Sequence, residues 1–313
     1  MYKGNSVAVV GPAYNEEELI GLTLAGMPEY VDSIIVTDDA STDDTAARVE
    51  AMAQRDARIM LVRHARNEGK GGAVIDGYRR AMDQGHDIVV LMDGDHQMPP
   101  EYLPALLDCL IERGYDAAKG NRFLAASGTL GRMPKYRLLG NILLTLATKI
   151  ASGYWSIFDS QNGFWALTAT SLAKLDLSRI ARRYDLENSL LIHLNIVGAR
   201  VADVPIPARY GDEVSGIRLW RVTPRILLTL LTGFWRRVLL RYVLYNFHPI
   251  ALFLFSGLAL TIWGLGFGIW VAIGSLGPEA ATSGTVMLAV LPFLMGFQLL
   301  LAALVLDILS EPK

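Results

Sequence analysis

Between Ser6 and Phe123 the chain alternates short apolar runs with longer stretches in which apolar residues recur every three or four positions. The runs are SVAVVGPA, SIIVTDD, ARIMLVRH, DIVVLMDGD and YDAAKGNRF, and the stretches between them begin near Glu17, Thr42, Gly71 and Pro99. A short continuous apolar run suits a strand buried on both faces, and a three-and-four spacing suits an amphipathic helix. Strands alternating with helices predict an α/β domain with a mostly parallel central sheet covered on both sides. Ligands of such sheets sit beyond the carboxyl ends of the strands. Polar residues collect there: Asn15 and Glu16 after the first run, Asp38 and Asp39 after the second, Asp93 and Asp95 after the fourth. From about Gly131 to Gly153 the pattern is again helical with few charges, and ARVADVPIPARY closes the domain as a further strand-like segment.

The pattern changes towards the C-terminus. From Tyr242 to Leu306 the only formally charged residue is Glu279. Two stretches there, Ile250 to Leu276 and Thr285 to Leu306, reach the roughly 20 apolar residues that span a bilayer core. The connecting GPEAATSG has no Lys or Arg, while Arg236, Arg237 and Arg241 precede the first span. The positive-inside rule therefore predicts that the N-terminal part and the C-terminus are both cytoplasmic. Arg221 to Phe247 is basic and amphipathic. It is expected to lie in the membrane interface as one or two helices, with arginines among headgroup phosphates and Trp235 and Tyr242 at the boundary. As an ordinary core helix it would need Arg236, Arg237 and Arg241 neutralised. The expected organisation is an α/β domain over 1–218, juxtamembrane amphipathic helices over 219–247, and two transmembrane helices within 248–309, about 250–276 and 285–306.

Composition follows this division. The excess behind the 52% apolar content lies in the tail; residues 1–215 carry 22 Lys/Arg against 28 Asp/Glu, and the whole chain has a net charge of -2. No cleavable signal pattern opens the chain, since MYKGNSVAVVGPAYNE turns polar after a few apolar residues. The single cysteine, Cys109, excludes an internal disulfide, suits a reducing compartment and reads as a small core residue.

Three clusters carry candidate chemistry. In VVLMDGDHQMPP, residues two apart on a strand share a side, so Asp93 and Asp95 can aim at one point with Gln97 following in the turn. Such close carboxylates repel unless a cation lies between them, and oxygen-only ligands favour magnesium or manganese over zinc. The plainer alternative is a solvated strand end, and His96 is expected to face solvent. In IIVTDDASTDDT, Ser41, Thr42 and Asp43 suit the cap of the next helix. Asp38 and Asp39 come too early for that, and a carboxylate there suits the ring N–H of a uracil or guanine. RNEGKGGAV is glycine-rich with Lys70 at a helix start, which suits anion binding by backbone amides. It lacks the spacing of a P-loop, and GPAYNE lacks that of a dinucleotide fingerprint. Gly264-x-x-x-Gly268 in the first span reads as a close helix contact.

PAYNE (12–16), DDAST (38–42), GKGGA (69–73), DGDHQ (93–97), GNRF (120–123), DSQNGF (159–164) and ARYGDEVSGIR (208–218) occur in this order. In order and spacing they resemble family-2 glycosyltransferases, most of all the polyprenyl-phosphate (dolichol-phosphate) mannose and glucose synthase branch. The resemblance covers nearly residues 5–218 and implies a GT-A-type nucleotide-binding domain. It implies that Pro12, Ala13, Tyr14, Glu16, Asp38 and Asp39 bind the nucleoside of a sugar nucleotide, with Lys70 beside that pocket. Asp93, Asp95 and Gln97 resemble an Asp-x-Asp-x-Gln triad carrying Mg2+ or Mn2+ on the donor diphosphate. Arg122 and Arg137 resemble arginines that meet the acceptor phosphate. Asp159, Gln161 and Asn162 match the sugar-pocket segment, and Arg209 and Ser215 match a loop that closes over the phosphates. Many relatives have Ser-Lys where this chain has Ser215-Gly216, which leaves Arg218 as the candidate for the missing charge. The implied catalytic set is Asp95, Arg122, Arg137, Asp159 and Gln161.

The implied reaction is inverting transfer of a hexose from a UDP- or GDP-linked donor to a polyprenyl or dolichyl phosphate at the cytoplasmic membrane face. Expected partners are that donor, that acceptor and the lipid membrane, not nucleic acid; a homo-oligomer stays open because membrane hairpins often pair. Three rivals remain: transfer to another glycan or lipid acceptor, a processive polysaccharide synthase, and a silent membrane scaffold that keeps the fold. The synthase would also require a Gln-x-x-Arg-Trp segment and more spans.

Overall fold

Five of the strands form where the apolar runs place them: β1 (Val7–Ala13), β2 (Ser33–Asp38), β3 (Ile59–Arg63), β4 (Ile88–Leu91) and β5 (Ala117–Asn121). β7 (Val201–Pro205) occupies the last strand-like segment. The computed structural model describes residues 1–124, 135–207, 219–276 and 281–313, with backbone alone at 135–139, 141 and 219–222. The intervening helices are α1 (Ile20–Ala25), α2 (Thr45–Ala53), α3 (Lys70–Asp83) and α4 (Leu103–Ile111), followed by α5 (Lys135–Ser152), α6 (Ala169–Ala173) and α7 (Leu186–Ile196).

With β6 (Trp165–Thr168), the seven strands form one sheet in the order β3-β2-β1-β4-β6-β5-β7. β1, β2, β3 and β4 run parallel. The chain moves outward from β1 through β2 to β3 and then returns to place β4 on the other side of β1, so the strand order reverses between β1 and β4. That reversal opens a crevice at the carboxyl ends, where ligands of open α/β sheets bind.

The strand between β4 and β5 is not foreseen by the apolar pattern. β6 (Trp165–Thr168) is four residues long and runs antiparallel to both neighbours. Its direction matters for the crevice. Trp165 pairs with Leu91 at the end of β4 and with Lys119 in β5, so the residues entering β6 arrive at the rim that β4 and β5 leave.

Successive side chains of a strand point to opposite faces, and the core divides accordingly. Val7, Val9, Ile34 and Val90 pack with α1 and α4 on one face. Ala8, Val10, Ile35 and Leu91 pack with α3 and α7 on the other. Cys109 is buried in the first of these layers.

The glycines of RNEGKGGAV serve packing. A Cβ on Gly71 would fall 2.2 Å from the Ala181 carbonyl oxygen, and one on Gly69, at φ +89°, would fall 2.6 Å from that of Arg182. The start of α3 thus lies against the backbone of the chain entering α7.

Two compact units divide the chain: Met1–Phe234 with Pro312–Lys313, and Trp235–Glu311. The amphipathic stretch is shared between them. Most of α8 (Leu219–Arg237) belongs to the first, where Ile226 and Leu230 are buried and Thr229 donates to Asp185 (2.7 Å).

Within the second unit, α9 (Pro249–Gly274) and α10 (Ser283–Leu309) are long and apolar enough to cross a membrane. Gly264 lets them close up, since a Cβ there would be 2.6 Å from the Phe293 nitrogen, whereas one on Gly268 would make only ordinary contact with Ala289. The same unit corrects the expectation for Arg237 and Tyr242, which are 1% and 2% exposed. Arg237 donates to both Asp307 oxygens (2.6 and 3.1 Å), and the Tyr242 hydroxyl donates to Asp307 Oδ1 (2.5 Å). The neutralising partner that a core helix needs is Asp307, which directly follows the second apolar stretch.

Gly71→Ala should destabilise the protein by about 1–3 kcal/mol through overpacking. Gly140→Ala, at an exposed helical site with nothing within 4 Å, should instead be neutral or gain up to about 1 kcal/mol. Thermal unfolding of the two detergent-solubilised variants against the parent tests this; equal midpoints would refute the packing role.

Candidate active site

β4 stops at Leu91, so Asp93 and Asp95 lie past the strand and are brought together by a turn rather than by strand alternation. His96 takes the left-handed conformation, φ 57°, and the Gln97 N–H donates to Asp95 Oδ1 (3.0 Å). A pocket forms here. Its lining includes Asp93, Asp95 and Gln97 from this turn, Lys70 from the start of α3, Arg122 after β5, Gln161 to Phe164 ahead of β6, and Ile206 and Pro207 after β7. Four of the quoted motifs thereby meet, joined across the rim by the antiparallel β6.

Lys70 is the cation beside Asp93. Its Nζ lies 2.8 Å from Asp93 Oδ2 and 3.0 Å from Glu187 Oε1. Burial pushes the Lys70 ammonium towards a lower pKa, but the charges and hydrogen bonds of the two carboxylates outweigh it and hold the value well above the ordinary lysine range. Glu187 was missed by sequence reasoning. In YDLENSL it reads as one acid in a helical pattern, and only the fold shows it 5% exposed in the first turn of α7, facing Lys70.

Asp93 Oδ1 is buried with no hydrogen-bond partner among the described residues. An orphaned carboxylate oxygen costs on the order of 1–3 kcal/mol or more, and a cation bound there removes that cost. Among the described residues no cluster of three His, Cys, Asp or Glu is placed to hold a metal. The acidic turn offers this pocket two carboxylates and an amide. That set fits magnesium or manganese, which commonly bind through one or two carboxylates and complete their shell with substrate phosphates and water.

Across the pocket Arg122 is clamped by Asp159. Its backbone N–H and Nε donate to Asp159 Oδ2 (3.0 and 2.8 Å), and Nη2 donates to Oδ1 (2.9 Å). Burial alone would raise the Asp159 pKa; the hydrogen bonds and charge of Arg122, with Lys119 behind it, bring it below the usual carboxylate value. Asp159 is 2% exposed. Asp159 is thus committed to Arg122 through three hydrogen bonds. Gln161 donates to Asn188 (3.0 Å), and the Asn162 carbonyl accepts from the Trp165 indole (2.8 Å), fixing the loop.

Pro12, Ala13, Tyr14 and Glu16 run from the carboxyl end of β1 as a shelf next to the acidic turn. Pro12 and Ala13 end β1 in register with Thr37 and Asp38, Tyr14 is half exposed, and the Glu16 N–H donates to Thr45 (2.8 Å). The Gly94 and Asp39 N–H groups donate to the Pro12 and Ala13 carbonyls (3.3 and 2.9 Å), joining shelf to pocket.

The two acids at the end of β2 have structural work. Asp38 accepts from the Ser41 N–H (3.1 Å). Asp39 accepts from the Glu68 and Gly69 N–H groups (both 2.8 Å), with His64 Nδ1 also at 2.8 Å. Both are almost fully buried, so they shape loops instead of presenting an open carboxylate to a base. The expected anion cradle of the glycine loop is corrected in the same way: the Glu68 and Gly69 amides serve Asp39, and that of Gly72 serves the Gly69 and Arg182 carbonyls. Asp43, read as a helix cap, accepts from the Thr45 N–H (3.1 Å) at the start of α2. Arg137 lies in α5 with its side chain outside the described residues, and Arg209, Ser215 and Arg218 lie outside them altogether.

Several known proteins are similar to this chain. The undecaprenyl-phosphate mannosyltransferase of Micrococcus luteus is 30% identical over 203 residues, 64% of this chain and 82% of that one. The dolichyl-phosphate hexose transferase of Haloferax volcanii is 32% identical over 211 residues, 66% and 85% of the two chains. Among solved structures, glucosyl-3-phosphoglycerate synthase from Mycobacterium tuberculosis in complex with Mg2+ and UDP aligns at a TM-score of 0.55 and 25% identity, covering 74% of this chain and 79% of that one. Residues 8–175 match the family described as Glycosyl transferase family 2. With that match over more than half its length, a GT-A sheet and an acidic turn at the sheet's switch point, the chain belongs to glycosyltransferase family 2.

Proposed function

We propose that the protein transfers a hexose, with inversion, from a nucleotide-diphosphate sugar to a polyprenyl or dolichyl phosphate. The observation that carries this reading is the charge layout of one pocket, with Asp93, Asp95 and Gln97 on one wall and the clamped Arg122 on the other. The relatives named for undecaprenyl- and dolichyl-phosphate sugar transfer support it.

The nucleoside of the donor lies on the shelf formed by Pro12, Ala13, Tyr14 and Glu16, with Asp38 and Asp39 shaping the loops around it. Asp93, Asp95 and Gln97 would hold a divalent cation, which would supply positive charge for the leaving diphosphate. Lys70 adds a second, permanently charged group beside Asp93. The hexose lies towards Gln161 and Asn162. Arg122, with Arg137, receives the acceptor phosphate, and Arg209, Ser215 and Arg218 cover the phosphates. A phosphate monoester has a second pKa near ~6, so its oxygen attacks as an anion and no strong general base is required. This agrees with an Asp159 committed to its arginine. The protein's task is to seat two anions side by side, which preorganised cations accomplish. The two apolar helices anchor the chain in the bilayer, with the catalytic domain on the cytoplasmic face.

A panel of radiolabelled sugar nucleotides incubated with membranes and a polyprenyl phosphate tests the reading directly; no lipid-linked product from any donor would sink it. Asp95→Ala should lower transfer by about 10²–10³-fold, the usual loss for one preorganised electrostatic contact, and abolish metal-dependent donor binding while leaving the unfolding midpoint intact. Full activity of that variant in excess chelator would exclude the metal role. Arg122→Ala should raise the acceptor KM about ten- to a hundredfold with donor KM unchanged, the loss expected of a charge-assisted hydrogen bond.

Asp159→Asn should cost about 1–3 kcal/mol of stability at pH 7, since Arg122 is partly exposed and the clamp partly screened. The folded-state pKa of Asp159 is depressed, so the parent's advantage is complete above the unfolded value near ~3.9 and is lost progressively as the pH falls from there through the depressed one. Urea unfolding of both proteins across that range measures it, and a pH-independent difference would contradict the assignment.

A further inference from the structure

Lys119 lies within β5 with no exposed surface. Charged side chains are almost never fully buried unless paired, and the parallel register of β5 and β7 places Asp203 opposite it. The Lys119 Nζ is 3.8 Å from Asp203 Oδ1 and 5.5 Å from the centroid of the Trp165 ring. It also donates to the backbone carbonyls of Gly120 (3.2 Å) and Asp159. On the other side of the pair, Asp203 Oδ2 accepts from Asn121 Nδ2 (2.5 Å) and the Phe158 N–H (3.0 Å). Asn121 Oδ1 in turn accepts from the N–H groups of Phe123 (2.8 Å) and Leu124 (3.2 Å).

Apart from the link between its two members, the polar contacts of the pair fall on two short segments, 120–124 and 158–162 and their immediate neighbours. The first carries Arg122 and the second Asp159. Burial pushes the Lys119 ammonium below its usual pKa and the Asp203 carboxyl above its own. Such a pair is a poor device for stability, because well-packed apolar residues often do as well or better in its place. Apolar side chains cannot hold two carbonyls, an amide and a backbone N–H at fixed angles, and an arginine that must meet a phosphate needs that precision of aim.

We propose that Lys119 and Asp203 are positioning residues that set the aim of Arg122 through Asp159 and thereby the affinity for the phosphate-bearing acceptor. This rests on the acceptor role read for Arg122 above. The experiment uses the full-length protein with polyprenyl phosphate as acceptor, and follows backbone amide exchange by mass spectrometry alongside kinetics. Asp203→Asn keeps the side-chain shape and should raise the acceptor KM about tenfold, as one weakened charge-assisted hydrogen bond would, with donor KM unchanged. Amide exchange in 120–124 and 158–162 should quicken by about tenfold, a local opening that leaves β1 and β4 protected. Where Asp203→Asn does not fold, the apolar double variant Lys119→Met/Asp203→Leu is read in the same way. Unchanged acceptor KM and unchanged exchange in a folded variant, or donor and acceptor KM rising together, overturn the proposal. Quickened exchange with the acceptor KM unchanged in both Asp203→Asn and Arg122→Ala would instead overturn the acceptor role of Arg122 while supporting the pair's hold on it.

Discussion

The structure depends on pairing four carboxylates around the pocket, Asp93, Glu187, Asp159 and Asp203, with cations held at hydrogen-bonding or near distance. Asp93 and Glu187 share Lys70, Asp159 clamps Arg122, and Asp203 faces Lys119. Unit charges about 4 Å apart interact by roughly 4 kcal/mol at the effective dielectric typical of such sites, and leaving either partner alone costs more than the pair returns. Lys70 engages Asp93 Oδ2, while Asp93 Oδ1 stays buried without a partner among the described residues. The lysine thus stabilises the carboxylate without using up its capacity for a metal.

Topology turns this electrostatic pattern into a site. Were β6 parallel to β4, the DSQNGF segment would enter from the opposite edge and Asp159 would lie a strand's length from Arg122. Reversing that one short strand brings the segment back to the rim. Gly163 records how tightly it returns: a Cβ there would stand 2.9 Å from Lys70 Nζ and 3.0 Å from Asp93 Oδ2. A larger residue would occupy the space between the lysine and the carboxylate.

Much of this was legible in the chain because period and punctuation are local. The apolar runs gave five parallel-sheet strands and the closing one, and the acids at the end of β4 do line the pocket. What stayed hidden was set by contacts distant in sequence. β6 is four residues long, too short for periodicity to speak. Glu187 and Lys119 look like ordinary charges until the fold buries them. The glycine loop misled for a related reason: a glycine that lets a phosphate approach and one that lets a neighbouring backbone approach look the same in sequence. Only the position of Ala181 and Arg182 separates them. Asp39 carries the same lesson, since its donors come from residues 64, 68 and 69.

The second unit shows how a single distant residue changes the reading of a whole stretch. Three arginines at 236, 237 and 241 suggest a surface that attracts anionic lipid, at about 1 kcal/mol for each basic side chain near the headgroups. Arg237 cannot take part in that attraction, because its guanidinium is buried against Asp307 and the Tyr242 hydroxyl. Arg241 also looks inward, donating to the Ser310 carbonyl at the end of α10 (2.8 Å). Both contacts join the segment before α9 to the last turns of α10, so the basic stretch fastens the two ends of the hairpin together. A buried arginine this far along an apolar unit persists only when a carboxylate answers it. The charge of Asp307 is therefore as much a part of the amphipathic stretch as the arginines that precede the span.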